Sequence, residues 1–125
     1  MSFIPFIGNP NLNLQAATPL AGVALINGTP TILSWTAPND GVMHRFAIMA
    51  DLHVTTLEVG GAVNNGWTAP DGTAGTSTIF AAAQAAGIYR SGIFGTLIQP
   101  GSTVTVFQTA LTGGASLLWA EIWGY

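Results

Sequence analysis

The chain reads as short apolar runs separated by turn-forming residues. The clearest stretch covers residues 42–55, where Phe46, Ile48, Ala50, Leu52 and Val54 alternate with Arg45, Ala47, Met49, Asp51 and His53. Successive side chains of a strand point to opposite faces, so this period of two predicts a core face and an outer face. The last stretch, residues 100–125, reads PGSTVTVFQTALTGGASLLWAEIWGY. Pro100-Gly101 predicts a turn, residues 103–108 a β-branched strand, and Thr112-Gly113-Gly114-Ala115 a second turn. In the final run Leu118, Ala120 and Ile122 share one face, and Leu117, Trp119, Glu121, Trp123 and Tyr125 share the other. A strand on the outside of a lone monomer has one wet face. This one has almost none, which predicts that its second face meets another layer or another subunit.

The remaining runs fit the same scheme. Residues 21–26 lead to Asn27-Gly28, a hairpin signal, and residues 31–37 end at the turn Pro38-Asn39-Asp40-Gly41. Residues 56–68 predict a hairpin at Gly60-Gly61 with Asn65-Gly66 as a further turn signal, followed by a loop over 69–75. Residues 77–87 suit either a strand through Thr78-Ile79-Phe80 or a short helix capped by Ser77 and stopped by Gly87; a strand followed by a loop or single helical turn is preferred. Residues 88–99 predict a strand that Gly92 and Gly95 interrupt, through a bulge or a close backbone contact. The sum is all-β: about eight strands in an antiparallel jelly roll or β-sandwich. The first nineteen residues stand apart. Pro5 and Pro10 forbid helix and central strand, so Phe3, Ile4, Phe6 and Ile7 predict an extended N-terminal arm that docks on its own domain or on a neighbour. The expected organisation is an arm over 1–19 and a single domain over 20–125.

Composition sharpens this picture. Apolar residues make up 49% of the chain and charged residues 6%, against ~25% charged in typical soluble proteins. There is no lysine; Arg45 and Arg90 face five acids, for a net charge of −3. Nucleic-acid binding is not expected, because phosphate backbones demand a cationic surface. A surface so poor in charge is either hidden in an assembly or built from uncharged Thr, Ser, Asn and Gln. With no cysteine, disulfides, thiol nucleophiles and thiolate metal sites are excluded. No run approaches the ~18 apolar residues of a membrane helix, and the N-terminus lacks the basic region of a signal peptide.

Motifs for chemistry are missing from the sequence. It has no phosphate loop ending in lysine, no H-E-x-x-H and no G-x-S-x-G, so neither an enzyme nor a cofactor or metal site is expected. His44 and His53 lie nine positions apart and would face opposite sides of one strand. Arg45, Asp51 and His53 share a face, as a small acid–base or metal site or as a polar patch or interface salt bridge. Asp40 and Asp71 sit in turns where aspartate bonds its own backbone. Glu121 between Trp119 and Trp123 needs a partner if buried, and Arg90 or Arg45, of the same or a neighbouring subunit, is the candidate. Trp119, Glu121, Trp123, Tyr125, Arg45 and Arg90 are therefore the expected subunit contacts. The alternative makes the tryptophans a platform beneath a sugar, with Glu121 accepting hydroxyl bonds.

Two segments resemble known families. Ala37-Pro38-Asn39-Asp40-Gly41-Val42-Met43-His44-Arg45-Phe46, with Pro100-Gly101-Ser102-Thr103-Val104-Thr105-Val106 and a closing aromatic strand, resembles the compact trimeric jelly rolls of the tumour-necrosis-factor and complement-head families. More closely, residues 100–125 are similar to the C-terminal strands of small decoration, or cement, proteins of tailed-phage capsids. That resemblance covers the last third of the chain. It implies a homotrimer on the capsid exterior of a virion, bound to the major capsid protein, with Phe3, Ile4, Phe6 and Ile7 in an arm reaching a neighbour. The competing expectation is a receptor- or glycan-binding head of a phage fibre or tail tip.

Overall fold

The computed structural model describes residues 12–28 and 30–125. Within them the chain forms ten strands: β1 (Asn13–Ala17), β2 (Val23–Ala24), β3 (Thr31–Thr36), β4 (His44–Gly60), β5 (Val63–Thr68), β6 (Ala74–Phe80), β7 (Gly87–Arg90), β8 (Phe94–Ile98), β9 (Thr103–Gln108) and β10 (Leu111–Gly124). All named pairings are antiparallel. One sheet holds β10 and β4 at its centre, with β1 and β2 in succession along one edge and β7 and β8 in succession along the other. The second sheet runs β3-β9-β5-β6.

Counting each interrupted edge as one strand gives the expected eight, and their pairing is nested. The first row pairs with the last, the second (β3) with the seventh (β9), the third (β4) with the sixth, and the fourth (β5) with the fifth (β6). That is a long hairpin rolled into two sheets, the double-sheet jelly roll.

The core lies between the sheets. Phe46, Ile48, Ala50, Leu52 and Val54 of β4 all point into it, as their alternation predicts, and meet Leu118, Ala120 and Ile122 of β10 and Val104 and Val106 of β9. The two edge interruptions fall at one level. Ala120 and Ala50 are cross-strand partners. On the β10 side the Thr18 hydroxyl accepts from Ala120 N–H at 3.0 Å. On the β4 side the Ser91 hydroxyl accepts from Ala50 N–H at 2.9 Å. Hydroxyls thus replace strand partners for two buried backbone donors, whose loss would be costly in a core.

Several turn signals are used differently from the sequence expectation. Thr112-Gly113-Gly114-Ala115 is not a turn; the chain reverses at residues 109–110, and the glycines form a bulge inside β10, marked by register shifts. Gly114 has φ +95° there, and a Cβ on it would lie 2.5 Å from Glu58 Cα, so the bulge needs glycine. Asn65-Gly66 lies within β5, because pairing with both β6 and β9 outweighs its turn propensity. Asn27-Gly28 carries the chain from one sheet to the other, bridging Leu111, and closes no hairpin. The preferred strand-then-loop reading of 77–87 matches β6 and the irregular residues 81–86. β1 pairs with β10 from Asn13↔Gly124 to Ala17↔Glu121, so the sheet begins before the expected boundary at residue 20. Phe3, Ile4, Phe6 and Ile7 lie outside the described residues.

Candidate interaction surface

The two outer faces of the sandwich differ in kind. On the β3-β9-β5-β6 sheet the outward positions are mostly small and hydroxylated: Ser34 and Thr105 share one row, Thr36, Thr103 and Thr68 the next, with Phe107 of β9 the large apolar exception. Thr36 and Thr103 join their hydroxyls at 2.9 Å. On the β4/β10 sheet the outward rows carry Tyr125, Arg45 and Leu97; Leu14, Trp123 and Ala47; Glu121 and Met49; Trp119, Asp51 and Arg90; and Leu117, His53 and Ile88. This face is the apolar one.

Part of it is covered by the chain itself. Leu12 packs with Ala47 and Trp123, joined by Met49, leaving Trp123 9% exposed. The Trp119 indole N–H donates to Leu20 O at 2.9 Å, its ring lies 4.4 Å from that of His53, and Gly22 sits close enough that a Cβ would reach 2.8 Å from it. Leu12 and the segment 18–22, on either side of the in-sheet strand β1, are therefore the cover that part of the greasy C-terminal strand receives. The tryptophans form no open sugar platform, because one is buried and the other is wedged between Gly22 and His53.

The ionic groups are paired differently from the expectation. Arg90 does not meet Glu121. Its Nε and Nη2 donate to the two oxygens of buried Asp51, each at 2.8 Å, a bidentate pair within one chain. The pair answers the Arg45–Asp51–His53 question as a salt bridge, with His53 against Trp119; among the described residues no cluster suited to a metal occurs. Glu121 is buried and accepts from the Trp123 indole N–H at 3.4 Å. Arg45 is half-buried, and its main-chain oxygen accepts from Tyr125 N–H at 3.2 Å.

One constellation escaped the sequence reading. His44 is 4% exposed at the end of the core. Its Nε2 lies 2.8 Å from Asp40 Oδ1, and its Nδ1 lies against the main-chain oxygen of Tyr125. A carboxylate and a main-chain oxygen both accept, so this arrangement favours the doubly protonated, cationic ring of His44. The hydrogen bond to Asp40 raises the His44 pKa above its ordinary value, opposed by burial and helped by the Tyr125 oxygen; the same bond lowers that of Asp40. A four-residue spacing across a turn carries no helical meaning, so only the fold brings these groups together. Asp40 and Asp71 also bond the backbone two residues on, at Val42 and Thr73, as their turns predict.

Three of the five acids, Asp51, Glu58 and Glu121, are buried. Exposed or half-exposed charge is left to Asp40, Asp71, Arg45 and Arg90. Meanwhile Leu14 (48%), Leu97 (46%), Leu117 (39%) and Ile88 (76%) stand open on the β4/β10 face. Leu57 and Val59, toward the far end of β4, are exposed as well.

No protein-family model matches the chain, and no curated protein matches it. Among solved structures it is similar to a chain in the structure of infectious bursal disease virus, Gx strain, with a TM-score of 0.52 and 14% sequence identity. The match covers 91% of this chain and 30% of that one, so this chain spans under a third of its neighbour's length. At that identity the likeness is one of fold: this all-β sandwich has a counterpart in a virus.

Proposed function

We propose that this chain is a structural, non-enzymatic protein of a virion, which decorates and stabilises a phage capsid from outside as a homotrimer bound to the major capsid protein. The observation that carries the reading is the asymmetry of the sandwich: a mostly hydroxylated face on one side and, on the other, an apolar face only partly covered by Leu12 and the segment 18–22. Exposed apolar patches of this kind mark sites of association. A lattice multiplies weak contacts by avidity, which suits a surface with almost no charge to direct a single strong one. The jelly roll, and the neighbour found in a virus structure, support the same reading. Subunit contacts are assigned to Leu97, Ile88, Leu117 and Tyr125 on that face, with Arg45 and Arg90 at their side; Glu121 and Trp123 support the face from beneath.

The arm residues Phe3, Ile4, Phe6 and Ile7 are assigned to the capsid or a neighbouring subunit. Their test is a deletion of residues 2–11, which spares Leu12 and β1. The shortened chain should still form a trimer by light scattering, at three times the mass of its own subunit, which is ten residues lighter than the full 12.8 kDa chain. Co-sedimentation with capsids lacking the protein should weaken. A monomer at working concentration overturns the trimer; undiminished sedimentation of the shortened chain overturns the arm.

A further inference from the structure

We propose that the cleft between the two sheets, at the edge formed by β6 and β8, binds a neutral saccharide. This site is separate from the apolar outer face and goes beyond the structural role, so either can fail alone. Inward positions on a sandwich normally carry aliphatic groups that seal the layers. In register with the core residues Val106 and Val104 on β9, strand β5 instead places Asn65 and Trp67, and β6 places Ser77 and Gly75. Opposite Phe46, β8 places Thr96. The layers consequently stand open around a cleft of about 430 Å³, which Phe46, Trp67 and Phe94 also line. Its size falls in the range of small-molecule sites.

Its chemistry narrows the ligand. No ionisable side chain lines the cleft, so nothing there would repay the desolvation of a charged ligand. The part-exposed rings of Trp67 and Phe94 suit the C–H side of a sugar, and the Ser77 and Thr96 hydroxyls, with Asn65 Oδ1 as an acceptor, suit its hydroxyls. The Asn65 amide is held by Gly66 O and Thr105 O, each at 3.2 Å, which fixes its orientation before a ligand arrives. Gly75 keeps the wall in place: a Cβ there would lie 2.6 Å from the Trp67 indole nitrogen, so only glycine lets the ring lie against β6.

The full-length protein is tested on an array of neutral and sialylated oligosaccharides, and hits are titrated to millimolar concentration by tryptophan fluorescence. At least one neutral glycan should bind while sialylated ones do not. Ser77→Leu, which fills the cleft, should weaken binding by more than about tenfold, and Thr96→Val, which removes one hydroxyl at constant shape, by about three- to tenfold. Both should keep the wild-type mass. The proposal is overturned if no neutral glycan binds, if sialylated glycans bind equally, or if neither variant changes the affinity. Should Ser77→Leu fail to fold, the Thr96→Val titration decides.

Discussion

At the scale of single residues, His44 ties the end of β10 to the turn that precedes β4. Asp40 and the main-chain oxygen of Tyr125 hold it from two sides, and the Tyr125 ring lies 6.3 Å away. Its pKa is raised in the folded state. Its stabilising contribution is therefore complete below the free-imidazole value near ~6.5 and is lost as pH rises through the raised folded value. Wild type should exceed His44→Gln in melting temperature by most under mildly acidic conditions, with the gap closing as pH climbs into the alkaline range. Thermal scans of both proteins across that interval check it; a gap constant with pH would remove the cationic histidine from the account. This residue was hidden in the sequence because one partner, Asp40, reads as an ordinary turn residue four positions away, and the other arrives only with the return of the chain 81 residues later. Asp51 shows the same blindness. Its outward position on β4 was legible, but its partner on β7 depends on the register Asp51↔Arg90.

Single elements were easiest to read where alternation was strong. The β4 pattern placed five core residues correctly because one face is wholly apolar, and a slip by one residue would turn Arg45 and Asp51 into the apolar core between the sheets. Glycine misled in the other direction, since turn propensity is local and the bulge at Gly114 is fixed by contact with Glu58. The edge breaks could not be read at all, because nothing in a serine or threonine announces that it will stand in for a strand. They are testable. Ser91→Ala strips Ala50 N–H of its side-chain acceptor at a fully buried position, and Thr18→Val does the same for Ala120. Each should cost about 1–3 kcal/mol, the range for a buried backbone donor left unpaired, in urea unfolding with an unchanged slope. Since Ala50 and Ala120 are cross-strand neighbours, the double variant should depart from additivity. Losses near zero for both would mean that the hydroxyls are dispensable.

For the molecule as a whole, the question is where its missing charge is compensated. The sequence allowed two answers, a polar uncharged surface or one hidden in an assembly; the β3-β9-β5-β6 face fits the first, and the proposed association of the β4/β10 face would supply the second. A standard interface takes about 800 Å² from each partner, so two such contacts per subunit of a ring would remove about a quarter of the 6141 Å² that one chain exposes. The β4/β10 face has the apolar side chains to supply that area; the threonine face does not. Lysine introduced at Ile88 or Leu97 should change the stability of the isolated fold by no more than about 0.5 kcal/mol, as surface substitutions usually do, because both side chains already stand in solvent. In an assembly that uses this face, the same lysine must be desolvated without a partner, and the chain has few acids free to meet it. Light scattering should then report subunits near 12.8 kDa for Ile88→Lys and Leu97→Lys, while Thr105→Lys on the opposite face keeps the wild-type mass. If Thr105→Lys dissociates the protein and the other two do not, the contact surface lies on the hydroxylated sheet, and the apolar face must have another occupant.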